Sequence, residues 1–431
     1  MEQLQALFPS ADLPALLAAQ KLKAEATYRV EELELAEVCG ALFQDENLDA
    51  LKALLRFGLL RTAGNYLTQD IYNEMMVYQV SAQAGVLVTS DRVKENAENL
   101  DTLYASMARN LIKDLMSVYL EETYVDRRFS AEAKADMENM LRELIAVFRQ
   151  RVENLDWMSD ATKEGAFRKL DAMTLHVAYP DEWDTTISNA TIAPVSEGGS
   201  AYQNWVELQK AQQDKKAAQQ GIPVDNSGWH YQVYTANAGY NPQANLIEVP
   251  AGILQAPLYD VEASYEENLG GIGYVLAHEI SHAFDNNGAN YDEKGNAVNW
   301  WTEEDYAAFQ ALCQEVVEYY DGRECAPGIT CDGTQTLSEN IADIGALACI
   351  TQIVSQQESP DFETLYRTAA KTWRTVVTRN TLELSKHTDI HAPDALRGQL
   401  PLQTCDEFYE TFGITEGDGM WIPPEQRISI W

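Results

Sequence analysis

One stretch constrains this chain more than any other. It reads Gly270-Gly271-Ile272-Gly273-Tyr274-Val275-Leu276-Ala277-His278-Glu279-Ile280-Ser281-His282-Ala283-Phe284-Asp285. Ile272, Val275, Leu276 and Ile280 fall at helical spacing and require burial. His278 and His282 are four apart, so on a helix both imidazoles share a face and can reach one ion. Glu279, one residue along, can reach a water on that ion without binding the ion. A carboxylate so placed can take the water's proton as the oxygen attacks a carbonyl. The chain holds only six histidines, so two of them four apart around a glutamate is an improbable chance match, and a buried ligand helix is the expectation.

A catalytic zinc needs a third protein ligand and an open fourth position. Thr336-Leu337-Ser338-Glu339-Asn340-Ile341-Ala342-Asp343 offers two carboxylates, Glu339 and Asp343, again four apart. One can bind the metal while the other orients a ligand histidine through its free N–H. Equally, Glu339 can serve as the capping-box acid to Thr336, with Asp343 on the surface. Spacing alone leaves both open.

Four ordered blocks resemble the neprilysin family of zinc metallopeptidases (M13). They are the two segments above; Asn237-Ala238-Gly239-Tyr240-Asn241-Pro242 with Val249-Pro250-Ala251-Gly252-Ile253-Leu254-Gln255; and His391-Ala392-Pro393 with Arg397. The resemblance covers most of residues 30–431, and the chain ends in Trp431, as family members commonly do. It implies that His278, His282 and Glu339 bind one zinc ion. Glu279 would activate the zinc-bound water as general base and later protonate the leaving amine. Asp343 would orient His278, Asp285 would support His282, and His391 would stabilise the oxyanion. Asn237 and the Ala238 carbonyl would hold the substrate backbone like an added strand, and Arg397 would bind a substrate carbonyl. Ile253, Leu258, Val275 and Trp373 would line the pocket for the residue after the cut bond, favouring a large hydrophobic residue there. Each of these four is, taken alone, an ordinary core residue. His391 and Arg397 alone would read as surface groups, and His176, His230 and His387 as structural ones. Cobalt or manganese also suits such a ligand set. Gly239 departs from the family's usual aromatic residue, which puts the subsite there in question. Ala346 stands where glycine is frequent.

The resemblance and the helical patterning imply a mainly α fold with a small β-sheet, a zincin-type catalytic domain beside a partial helical cap. Met137, Met140, Leu141, Leu144, Ile145, Phe148, Val152 and Leu155 trace an apolar stripe behind a Ser130 N-cap. Residues up to about Pro180 read as helical. The Thr, Ser, Asn, Pro and Gly-rich stretch after 180 predicts a boundary, giving a cap over 1–184, a linker over 185–201 and a catalytic domain over 202–431. Helices are expected after Ser159, near 202–219 and from Thr302 towards Tyr320. Tyr231–Ala236 and Leu246–Val249 read as strands around the turn Asn241–Asn245. The resemblance begins partway through the family's helical domain. A more open cleft, or a second polypeptide supplying the missing half, is therefore expected.

With 31 basic against 67 acidic residues the net charge is −36, which disfavours nucleic-acid partners because that affinity comes from lysine and arginine. No eighteen-residue apolar run suggests a transmembrane helix, and the first residues lack the pattern of a signal peptide. The six cysteines fit no zinc pattern. Cys325 and Cys331 flank a loop that either closes as a disulfide, pointing to an exported setting, or carries two free thiols. The expected function is a monomeric peptidase acting on peptide substrates. The alternatives are a zinc-holding peptide-capture protein of weak catalysis and an acidic surface protein that binds partners. Intact Glu279, His391 and ligand positions favour the enzyme.

Overall fold

The computed structural model describes residues 2–28, 32–84, 89, 100–223 and 228–431. Packing divides the chain into two units, Met1–Leu120 with Glu182–Asp225, and Glu121–Asp181 with Asn226–Trp431. This differs from the contiguous 1–184, 185–201, 202–431 division expected above. Helical patterning shows that a stripe must be buried but not against what. The stripe of Ala131–Glu153 packs into the second unit, where Phe148 stacks on Phe284 at 5.0 Å.

The first unit is built of helices, among them Leu33–Leu42, Leu48–Ala63, Gln69–Ala84, Leu100–Leu115 and Ala201–Ala218. The last begins at Ser200, whose side chain accepts the Gln203 N–H at 3.2 Å. One small core joins Leu115, Ile187 and Leu208, with Leu111, Met116 and Trp205 packed against it.

The second unit holds the expected apolar helix, Ala131–Glu153, capped by Ser130 Oγ on the Ala133 N–H at 3.1 Å. Six of its eight predicted stripe residues are buried; Ile145 and Leu155 are half-buried. Asp160–Asp171 follows Ser159, and Glu303–Tyr320 starts at Thr302, whose hydroxyl accepts the Asp305 N–H. The Asp305 carboxylate does not close a capping box there; it accepts hydrogen bonds from Ser159 and Thr162 on the neighbouring helix.

The sheet has three strands in the order β1 (Thr174–Ala178), β3 (Leu246–Pro250), β2 (Gly239–Asn241). β1 runs parallel to β3, and β2 pairs antiparallel with it, Gly239 facing Glu248. β2 is thus an edge strand. β1 lies where the sequence reads as helix, five residues directly after Asp160–Asp171 and too short to show a period. Tyr231–Ala236, expected as a strand, is a series of turns. The N–H groups of His230 and Tyr231 go to the Glu248 carboxylate and that of Val233 to Glu121, so no ladder forms.

Two helices carry the acid and histidine motifs. Tyr274–Ser281, the histidine helix, continues a π-helical turn at Leu269–Gly273. There the Leu258 carbonyl accepts the Ile272 N–H at 2.8 Å, and a Cβ on Gly271 would overlap that oxygen. Leu337–Ser355, the carboxylate helix, crosses it so closely that a Cβ on Gly345 would collide with Ser281 Oγ. By length and composition this helix is apolar enough to cross a membrane, though it holds no unbroken apolar run. Within the fold 78% of its most apolar window is buried, as in a core helix. All six cysteines are free; Cys325 lies within the first strand of a short hairpin, Glu324–Ala326 with Ile329–Thr330, and Cys331 directly follows the second, with no disulfide between them.

Candidate metal centre

His278 and His282 leave the histidine helix on one face, and Glu339 comes from the first turn of the carboxylate helix. Their ligating atoms lie within 4.8 Å of one another. The separations are 3.0 Å between the two Nε2 atoms, 3.1 Å from His278 Nε2 to Glu339 Oε2, and 3.5 Å from His282 Nε2 to the same oxygen. Tetrahedral zinc with bonds of about 2.0–2.1 Å needs neighbouring donors roughly 3.3 Å apart. The triangle fits that requirement.

The hydrogens explain why a cation belongs there. His278 Nδ1 lies 2.8 Å from Asp343 Oδ1, and His282 Nδ1 lies 2.6 Å from Asp285 Oδ2. A carboxylate only accepts, so each Nδ1 donates and each neutral imidazole turns a lone pair inward from Nε2. Two nitrogen lone pairs and a carboxylate oxygen converge with no hydrogen between them. Such a cluster repels itself until a proton or a metal sits within it. The acid–base balance of the protein alone reflects this. Burial would lower the pKa of His282, but hydrogen bonds to Asp285 and Glu339 raise it well above the ordinary histidine value. Burial would raise Glu339, yet His278, His282 and His391 hold it far below the usual carboxylate range.

The supports are themselves fixed. Asp285 Oδ1 accepts the Asn287 and Gly288 N–H groups at 2.7 Å each, and its Oδ2 accepts the Ser338 hydroxyl from the carboxylate helix. Asp343 is fully buried and takes Arg397 Nε and Nη2 at 2.7 and 2.8 Å. Burial alone would raise its pKa, but the Arg397 charge and hydrogen bonds lower it to about 2. The structure therefore departs from the capping-box alternative: Glu339 faces the histidines and Asp343 is a buried support.

His391 also reaches the cluster, its Nε2 3.1 Å from Glu339 Oε2 and its Nδ1 2.8 Å from Asp389 Oδ1. Donating to both carboxylates requires both ring protons. Its pKa is accordingly raised, first by the Glu339 hydrogen bond, with burial opposing. Glu279 is buried between the two histidines in sequence. Arg397, expected to reach a substrate carbonyl, is buried with two nitrogens on Asp343 and its guanidinium 3.6 Å from the Trp373 ring centre; Nη1 remains for another acceptor. Its support of Asp343 was not foreseen.

Asn237 and Ala238 run directly into edge strand β2, and the histidine helix packs against β2 and β3. Three of the four pocket candidates border one stretch of the histidine segment. Leu258 bonds Ile272, Val275 lies within the stretch half-buried, and Trp373 meets Tyr274 edge-on at 5.6 Å. Ile253 is buried in the turn after β3. Asp389 and Ser338 were missed in the sequence; the two-residue step from Asp389 to His391 was the one visible signal.

Known proteins are similar to this chain over most of its length. Two models described as peptidase family M13 match residues 1–180 and 237–428. A neutral endopeptidase of Lactobacillus helveticus is 32% identical over 402 residues, covering 93% of this chain and 59% of that protein. Among solved structures, PepO from Lactobacillus rhamnosis is 31% identical with a TM-score of 0.75, covering 92% of this chain and 60% of that one. The zinc metalloprotease Zmp1 of Mycobacterium tuberculosis in its open state is 28% identical with a TM-score of 0.78, covering 100% of this chain and 67% of that one. The chain thus spans about three fifths of the length of its curated relatives.

Proposed function

The chain belongs to peptidase family M13, and from that premise we propose that it is a zinc-dependent endopeptidase, with one ion per chain, that hydrolyses peptides. The observation that carries this reading is the triangle of His278 Nε2, His282 Nε2 and Glu339 Oε2, its imidazoles turned inward by Asp343 and Asp285 on their Nδ1 sides. Relatives and neighbours named as neutral endopeptidase and zinc metalloprotease support the same ion and reaction.

A zinc ion at these ligands supplies Lewis acidity, lowering the pKa of a water and polarising a carbonyl. The residues of the chain do the rest. Glu279 takes a proton from the attacking water and returns it to the leaving amine. His391, held through Nδ1 by Asp389, can turn its Nε2–H from Glu339 to the oxygen that gains charge. Asn237 and the Ala238 carbonyl hold an extended peptide along the free side of β2, and Arg397 Nη1 offers a further contact to a substrate carbonyl. Ile253, Leu258, Val275 and Trp373 form an apolar wall that favours a large hydrophobic residue after the cut.

The first unit bears on completeness. Leu35, Val38, Leu54, Leu55 and Leu59 are each more than half exposed. This favours the reading that a further polypeptide segment, in cis or from a partner, covers these helices.

The test is hydrolysis of a quenched fluorescent peptide library by the zinc-loaded protein beside Glu279→Gln. Expected are cuts before large hydrophobic residues, and a loss of at least about a hundredfold in kcat for the variant with zinc content unchanged. Zinc held at one equivalent with no cleavage by either protein would sink the peptidase reading for this chain.

A further inference from the structure

Tyr231 is half-buried beside the edge strand. Its backbone N–H, with that of His230, is clamped by the carboxylate of Glu248, which is 2% exposed on the central strand and directly opposite Gly239. From this anchor the phenol crosses the edge strand. A Cβ on Gly239 would lie 2.7 Å from Tyr231 Oη and 3.1 Å from its Cε2. The same oxygen accepts the Asn237 Nδ2 hydrogen at 3.4 Å. The ring therefore fills the side-chain position that β2 leaves empty, beside the asparagine that precedes the strand. Burial raises the phenol's pKa, and the Glu279 carboxylate raises it further.

A strand added to an edge is read through pockets for its alternate side chains. On β2 one such position has no side chain of its own but a tyrosine ring delivered from another segment. We propose that Tyr231 is a specificity-determining residue: its ring walls the subsite over Gly239, contacting a peptide side chain other than the one held by Ile253, Leu258, Val275 and Trp373, while its hydroxyl fixes Asn237. The proposal rests on β2 being the peptide-binding edge. Glu248 and Gly239 are integral to it, Glu248 by holding the tyrosine's main chain and Gly239 by leaving room for the ring.

Two readouts separate this from the peptidase reading. Hydrolysis of a position-scanned peptide library is measured for the zinc-loaded parent, Tyr231→Ala, Tyr231→Phe and the double variant Tyr231→Ala with Gly239→Tyr. Binding of the same peptides is measured by fluorescence anisotropy in the Glu279→Gln background. Tyr231→Ala should flatten selectivity at one peptide position by about tenfold or more, leaving the preference after the cut bond and the zinc content unchanged. Tyr231→Phe should retain that selectivity but bind all peptides more weakly, because Asn237 loses its acceptor. The double variant, with the ring supplied from the strand itself, should recover selectivity at that position. Unchanged selectivity in Tyr231→Ala, or a change confined to the residue after the cut, overturns the proposal while hydrolysis by the parent stands. Tyr231-dependent binding without hydrolysis keeps the proposal and removes the peptidase reading. Neither binding nor hydrolysis removes both.

Discussion

Asp343 answers to two partners at once. One oxygen faces His278 and Arg397 Nη2, the other Arg397 Nε. Replacing it with asparagine keeps the shape and removes the charge that fixes the imidazole. A 10- to 100-fold fall in zinc affinity is expected, on the order seen for such supporting groups, read by competition with a fluorescent chelator. The same carboxyl sets an acid limit. Its folded pKa of about 2 lies below the ordinary value, so the unfolded chain takes up the proton first as pH falls. The stability it contributes, about 2–3 kcal/mol, is complete above about pH 4 and is lost towards pH 2. Acid unfolding followed by circular dichroism should lose that part of its slope in Asp343→Asn. Arg397→Met leaves the carboxylate buried without its cation, and urea unfolding should show a loss of about 3–5 kcal/mol. The pairing was invisible in the sequence because the partners stand 54 positions apart and belong to different motifs, each of which made sense without the other.

At the scale of elements, legibility followed period and local chemistry. The histidine helix was readable from its apolar spacing, and the Ser130-capped helix and the helix from Thr302 from apolar spacing and caps, all of them local signals. β1 and the turns at 231–236 were not, because a five-residue strand has almost no period and Glu248 satisfies N–H groups that would otherwise seek a ladder. Lys169 is a related case. On a helix it reads as part of a charged face, yet it is 1% exposed and donates to the Gly288 and Tyr291 carbonyls at 2.6 and 2.8 Å. It thereby pins the loop whose N–H groups hold Asp285. Burial lowers its pKa to about 7, Asp285 and Asp292 opposing. Between about pH 7 and the ordinary lysine value near 10.4, the unfolded chain keeps a proton that the folded one has released, so this group makes stability rise with pH. Lys169→Met should abolish that rise in urea titrations at a series of pH values. It should also cost about 1–3 kcal/mol for each carbonyl left without a partner and weaken zinc retention through the loosened loop.

The whole molecule adds a field. A net charge of −36 draws cationic peptides and repels anionic ones over distances that salt shortens to about 10 Å at 0.1 M. Raising salt from about 0.05 to 0.5 M should therefore lower kcat/KM for lysine-rich peptides several-fold and leave neutral peptides nearly unchanged, as stopped-flow assays at matched zinc would show. Of this scale the charge was legible from the residues alone. The grouping of 121–181 with the later half of the chain was not, since an apolar stripe does not name the core it joins. As the proposed peptide-binding edge, the short strand β2 would judge something besides sequence. A chain already paired within its own folded structure has no free backbone to offer an edge, so a peptide binding there must first be loose and extended. The peptide-binding edge would thus register the conformational state of its target: the same segment would be ignored in a native protein and taken once heat, damage or unfinished folding had set it free.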